Sequence, residues 1–462
     1  MAAKTKAPGY RCTECGWTAA KWVGRCGECQ AWGTVIEATT SGTASNNVPV
    51  LIPHAPAQPI TDVSAQASVK TPTGVPELDR VLGGGLVPGV VVLLAGEPGV
   101  GKSTLLLDVA AKAAAESETN GRNPVLYVTG EESAAQVRAR AARIGALQKH
   151  LYLTAEADLS RILGHIESSK PSLLIVDSVQ TVVDPTVDGA AGGVAQVRAV
   201  TAGLVNIAKA SGLPVIVVGH VTKDGSIAGP RVLEHLVDVV CQFEGDRHSR
   251  LRMVRAVKNR YGATDEVGCF ELIDSGIRGL ADPSGLFLSA RNLTVPGTCV
   301  TVTLEGRRPM PVEIQALSVN ASGPPRRTTA GVDNSRVAMM LAVIQSRLGI
   351  AFERNDVFVS TVGGARAQEP SVDLAMALAL ISTATDMPLA PGVIALGEVS
   401  LTGELRPIVG IQQRLNEAAR LGFTIAIVPP LSDDVKIPSG LDVREVADVR
   451  LAANSVLPLG RA

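Results

Sequence analysis

Between residues 71 and 281, short apolar runs rich in branched side chains alternate with stretches of amphipathic, helix-like spacing. The runs at 90–95, 125–129, 173–177 and 214–219 each end in a polar loop. That alternation predicts a mostly parallel sheet covered by helices. Ligand chemistry in such a sheet belongs at the carboxyl ends of the strands. Near residue 283 the pattern changes. Residues 300–304 and 312–317 alternate like strands, and 335–348 reads as a helix. The segments 357–362, 373–384, 393–396, 412–421 and 424–428 continue an α+β pattern, so 283–462 is expected to form a separate domain. Upstream, 37–70 is rich in Thr, Ser, Ala, Asn and Pro and reads as a linker. Residues 1–36 form a dense module that holds all three tryptophans, Trp17, Trp22 and Trp32.

Length and charge narrow the picture. A chain of 462 residues is too long for one core. The net charge of −1 supplies no global field for nucleic acid, so any such contact must come from local patches. No apolar run reaches the roughly 18 residues of a membrane span. The first residues lack the apolar core of a secretion signal, and a cytoplasmic protein with no membrane partner is expected. Cys241, Cys269 and Cys299 sit in apolar surroundings and read as ordinary buried residues.

The sharpest chemical signal is Gly96-Glu97-Pro98-Gly99-Val100-Gly101-Lys102-Ser103-Thr104, between an apolar run and a helix expected over 103–117. Backbone N–H groups of such a loop can wrap phosphates; Lys102 can reach the terminal phosphates, and the Ser103 hydroxyl can hold Mg²⁺. The helix amino end favours the same anion. ATP with Mg²⁺ is the expected ligand. Asp177 ends the third run, where a carboxylate can hold the metal ion. Glu131 and Glu132 follow the second run; either can orient an attacking water, and the residues alone do not choose between them. His220 follows the fourth run, placed to sense a terminal phosphate. Two glycine-rich loops, 184–194 and 223–230 with Lys223, lie beyond strand ends, where they could track a nucleic-acid strand.

Cys12-x-x-Cys15 and Cys26-x-x-Cys29, ten residues apart, match paired knuckles for one tetrahedral Zn²⁺. Four thiolates close the shell, so the site is expected to be structural. Lys258-Asn259-Arg260-Tyr261-Gly262 follows a strand-like stretch at 251–257. On a strand, Lys258 and Arg260 would share a face. The motif could be a solvated hairpin tip, a pair of cations reaching a neighbouring subunit's ATP, or a DNA contact with Tyr261 stacking on a base.

Taken together, the four-cysteine module, GEPGVGKST, YVTGEES, LLIVDSVQT, GHVTKDGSIAGPRVLEHLVD and KNRYG resemble the blocks of the bacterial RadA (Sms) family of DNA-repair ATPases, in order and over nearly the whole chain. The family usually has KNRFG, so Tyr261 is a conservative departure. The resemblance implies a RecA-like P-loop core in an α/β fold, with a zinc module before it. It further implies a homohexameric ring, ATP hydrolysis stimulated by single-stranded DNA, and branch migration on branched intermediates made by RecA. Segment 283–462 resembles the proteolytic domain of Lon proteases. Ser371 falls at the nucleophile position, but Gln412 falls at the lysine position, and beyond Lys258 the sole lysine is Lys436. A Ser–Lys dyad needs an amine to take the serine proton. The domain is therefore expected to be proteolytically inactive, which argues against a rival reading as an ATP-dependent peptidase. A KaiC-like signalling ATPase is the other rival; it would need neither the zinc module nor the Lon-like domain.

Overall fold

The computed structural model describes residues 9–37, 59–62, 69–220, 233–245, 250–288 and 295–457. The chain divides into two compact units, residues 1–64 and 65–462. The first unit is a small antiparallel ribbon of β1 (Tyr10–Cys12), β2 (Thr18–Ala19) and β3 (Val35–Glu37), in the order β2-β1-β3. Among the described residues its apolar core is Cys12, Cys26 and Val35, with Tyr10 and Trp17 packed against them. So few buried side chains cannot hold a fold without a cross-link or a metal.

The second unit begins with α1 (Pro76–Leu82), β4 (Val91–Gly96) and α2 (Lys102–Thr119). Then follow β5 (Val125–Thr129), α3 (Ala134–Arg143), β6 (Leu151–Ala155), α4 (Leu159–Ser169) and β7 (Leu173–Asp177). The helix α5 (Val194–Ser211) leads into β8 (Val215–His220) and, later, β9 (Val239–Glu244). An antiparallel extension, β10 (Leu251–Asn259), β11 (Val267–Ile273) and β12 (Gly276–Gly279), completes a nine-stranded sheet in the order β12-β11-β10-β9-β4-β8-β7-β5-β6. Strands β4, β5 and β7 are buried at every position, because helices cover both faces. Along β4, Val92 and Leu94 enter the core beneath α1–α3, and Val91 and Leu93 enter the core beneath α4 and α5.

The remaining elements are β13 (Thr298–Glu305), β14 (Arg308–Asn320), β15 (Arg327–Ala330), α6 (Asn334–Leu348), β16 (Asn355–Thr361), α7 (Asp373–Thr385) and β17 (Val393–Ala395). They end with β18 (Glu398–Val399), β19 (Leu405–Arg406), α8 (Ile411–Arg420), β20 (Ile425–Val428), β21 (Asp442–Glu445) and α9 (Val449–Val456). Seven of these strands form a second sheet in the order β15-β16-β14-β13-β17-β20-β21. The helix α7 is its centre, buried from Asp373 through Ser382.

The two sheets share structure. Leu251, Val267 and Cys269 of β10 and β11 belong to the same apolar cluster as Met310 and Phe287. Arg308 of β14 forms a buried ion pair with Glu77 of α1 and donates to the carbonyls of Val267 (3.1 Å), Leu280 (2.9 Å) and Ala281 (2.8 Å). Glu77 also accepts the Cys269 backbone N–H at 2.9 Å. The three isolated cysteines are buried; burial pushes Cys241 up to about 12 and Cys269 up to about 11, and raises Cys299. One sequence expectation is corrected: β10 ends at Asn259 after a bulge between Ala256 and Lys258, so Arg260 lies past the strand and does not share a strand face with Lys258.

Candidate functional site

Strands β4, β8, β7 and β5 run parallel and end together, with Gly96 opposite His220 and Thr129 opposite Asp177. The loop between β4 and α2 turns on Gly99 (φ 80°) and Gly101 (φ 112°), a left-handed region that a side chain would strain. At Gly96 a Cβ would meet the Phe243 carbonyl oxygen at 2.4 Å, so the loop can start only from glycine. Lys102 is buried, and its ammonium donates to the carbonyls of Gly96 (2.8 Å) and Glu97 (2.9 Å) and lies 3.3 Å from His220 Nδ1. Burial lowers it to about 8, against the pull of Asp177 and Glu131. Ser103 and Thr104 follow in the first turn of α2.

The geometry separates the two glutamates. Glu131 Oε1 accepts the Ser178 hydroxyl at 2.5 Å and lies 3.1 Å from His220 Nε2, facing the loop lysine. Glu132 turns away to an ion pair with Arg140 of α3. His220 thus bridges Lys102 and Glu131. Asp177 is buried, and its Oδ2 accepts the Tyr127 phenol at 2.7 Å. Two positions along β5 from Thr129, Tyr127 shares its face, which lets the phenol reach the end of β7. Tyr127 opens the YVTGEES block, but no role was expected of it; its signal was a phenol inside an otherwise aliphatic run. Tyr127→Phe should leave nucleotide affinity in EDTA unchanged and raise the Mg²⁺ concentration needed for half-maximal turnover severalfold. It leaves one oxygen of a buried carboxylate unpaired. Titrating Mg²⁺ against nucleotide binding and turnover checks this.

Other expected residues lie elsewhere. Loop 184–193 is held at its base by buried Gln196, which accepts the Asp184 N–H at 2.8 Å and donates to the Asp184 carbonyl at 3.2 Å. Lys223 and the whole of its loop, 223–230, lie outside the described residues. Lys258 to Gly262 sit at the opposite end of the sheet. Val92 of β4 pairs with Val239, and Val239 pairs with Asn259, so the motif is four strand residues, about 13 Å, from Gly96. There Lys258 Nζ donates to the carbonyls of Glu234 (2.5 Å) and Val237 (2.8 Å). Asn259 accepts the Tyr261 N–H at 2.9 Å, and a Cβ at Gly262 would approach the Asn259 side chain at 3.0 Å.

In the ribbon, the four sulfurs of Cys12, Cys15, Cys26 and Cys29 lie within 4.8 Å of one another, with Cys12–Cys29 at 3.7 Å and Cys15–Cys26 at 3.5 Å. Four thiolates 2.3 Å from one Zn²⁺ stand about 3.8 Å apart, so the donor set fits a closed zinc site.

In the second sheet, Ser371 is buried and accepts from Arg414 Nη1 at 2.9 Å. Arg414 also binds both oxygens of Glu369, at 2.7 and 2.9 Å, and the Val302 and Val409 carbonyls. Gln412 instead pairs with the Lys436 backbone, at 2.8 and 2.7 Å. Gln412, at the position of the Lon lysine, does not reach Ser371; Arg414, two residues on, does. Its signal was the stripe Ile411, Arg414, Leu415, Ala418 on α8, with a cation in a core position.

A phosphate loop, a strand-end carboxylate and a facing glutamate on a parallel sheet define a RecA-like P-loop ATPase, here with a zinc ribbon before it and a Lon-like domain after it. Residues 10–37 match the rubredoxin metal binding domain, 56–226 the AAA domain, and 332–451 the Lon protease (S16) C-terminal proteolytic domain. The chain is 54% identical over 458 residues to DNA repair protein RadA of Mycolicibacterium smegmatis, covering 97% of this chain and 96% of the relative. It is 42% identical over 462 residues to DNA repair protein RadA of Bacillus subtilis, covering 98% and 99%. The chain belongs to the RadA family of DNA repair proteins. Among the described residues no helix is long and apolar enough to cross a membrane.

Proposed function

We propose that this protein is a DNA-dependent, helicase-like ATPase that works as a homohexameric ring in the cytoplasm. It drives branch migration on branched, RecA-made recombination intermediates. The observation that carries the reading is the separation of its two motifs. The phosphate loop, Glu131, Asp177 and His220 meet at one end of the sheet, and Lys258 to Gly262 stand at the other. A single copy cannot bring Arg260 to its own nucleotide, whereas a ring sets it beside the next copy's nucleotide.

Lys102 and the loop N–H groups would hold the phosphates of ATP, with Ser103 and Asp177 as Mg²⁺ ligands; the ion would neutralise charge on the β and γ oxygens. Glu131, held by Ser178, orients the attacking water and takes its proton, and His220 reads the terminal phosphate through Lys102. Lys223, on the loop after His220, contacts single-stranded DNA. Of the basic motif, Arg260 is the more exposed cation, tethered at Asp238, while Lys258 is tied to the carbonyls of Glu234 and Val237. In the zinc ribbon, Cys12, Cys15, Cys26 and Cys29 would hold Zn²⁺ as a structural ion.

Arg414 argues against the peptidase reading. A guanidinium stays protonated and cannot relieve Ser371 of its proton. Both the parent chain and Ser371→Ala should leave casein intact, and the substitution should change ATP turnover by less than twofold. Casein cleavage that disappears in Ser371→Ala would overturn this reading. The function itself is tested on joint molecules formed by RecA between a circular single strand and a linear duplex. With ATP, the chain should speed conversion to nicked product; equal rates with and without it would contradict the proposal.

A further inference from the structure

Asp238, at the head of β9, is a buried carboxylate that the nucleotide site does not use. Its Oδ2 accepts the Val91 N–H at 3.0 Å and the Lys209 ammonium at 2.5 Å, and its Oδ1 accepts Arg260 Nη1 at 3.3 Å. The Arg260 backbone N–H returns to the Asp238 carbonyl at 3.3 Å. The two cations differ from their anchor in exposure: Asp238 is 4% exposed at its side chain, Lys209 45% and Arg260 56%. Tyr261 completes the edge, its phenol 3.5 Å from Lys209 Nζ. One buried anion therefore holds two outward cations, which leaves a net positive face at the sheet end opposite the phosphate loop. A long arginine side chain loses rotamer entropy when it is fixed, and a buried carboxylate bonded to a backbone N–H is a rigid point from which to fix it.

We propose that Asp238 is a positioning residue: it holds the Arg260 guanidinium, with Lys209 beside it, as a receptor for the phosphates of a nucleotide bound to a second copy of the chain. This rests on the ring-interface reading of Arg260 given above. Displacement of a group that must meet a phosphate costs on the order of 10²-fold in rate.

The test mixes full-length variants. Asp238→Asn keeps the shape and removes the charge. It should bind a fluorescent ATP analogue as the parent does, because its own phosphate loop is at the far end of β4. Its turnover should fall about 10²-fold. Asp238→Glu should recover part of the loss. Mixed with Lys102→Ala, Asp238→Asn should regain turnover, because a ring then contains interfaces with one intact loop and one intact receptor. Mixed with Arg260→Ala it should regain none, because both defects lie on the same face. A structural role through β4 and the loop gives the opposite pattern: recovery with Arg260→Ala and none with Lys102→Ala. That pattern, or parental turnover in Asp238→Asn, would overturn the proposal alone. If Arg260→Ala itself shows no recovery with Lys102→Ala, the ring-interface reading falls and the proposal falls with it. Should Asp238→Asn fail to bind nucleotide, Asp238→Glu is carried through the same mixtures, with the same two patterns deciding.

Discussion

Lys102→Ala should lower ATP turnover by ~10³-fold or more while the chain stays folded. The ammonium is buried against the carbonyls of Gly96 and Glu97 at the strand end, and its loss removes the cation expected to meet the terminal phosphates. The same residue gives a pH signature. Burial brings the ammonium down to about 8. A bound phosphate favours the charged form, so above that value binding must take up a proton. Nucleotide affinity should therefore hold steady below pH 8 and fall as pH rises past it, by up to about tenfold per unit. Residual binding by Lys102→Ala should not show this fall. Equilibrium titration between pH 7 and 9 checks both variants, and parental turnover in folded Lys102→Ala would remove the phosphate-loop assignment.

Cys12→Ala or Cys29→Ala should release one zinc per chain and unfold the ribbon alone. Among the described residues the ribbon buries only three apolar side chains, too few to hold it without the metal. The protein carries its own reporter, because all three tryptophans lie in this ribbon. Trp17 packs against the cysteines, so closely that a Cβ at Gly27 would stand 2.7 Å from its ring. Loss of zinc should shift tryptophan emission to the red, while DNA-free ATP turnover stays within about twofold, since independent sites act nearly additively. Metal analysis showing no zinc in the parent would reject the site. A large fall in the melting temperature of the large unit would show that the ribbon is not energetically separate.

Much of the nucleotide site was legible because its signals are local. A strand buried on both faces is a continuous apolar run, so β4, β5, β7 and β8 stand within a residue of their expected bounds. Edge strand β6 is half exposed and carries no such run. The extension β10–β12 is antiparallel, and only its first strand was legible. What the residues alone left open depends on contacts distant in sequence. Glu131 and Glu132 are chemically alike, and Arg140 on the following helix draws one of them away. Asp238 acquires its role only when β4, α5 and the turn after β10 meet. Gln412 and Arg414 are two residues apart on a helix, about 200° around its axis, so aligning the first with a catalytic lysine hid that the second faces the serine.

ATP turnover in this chain is expected to be coupled to DNA. Steady-state turnover of the full chain should rise severalfold or more when single-stranded DNA is added. The stimulation should fade with salt, since phosphate contacts on single strands release counterions with a log–log slope of roughly −0.7 each. Lys223→Ala should flatten that slope. Turnover that is the same with and without DNA at low salt, in a preparation that binds and hydrolyses ATP, would contradict the account.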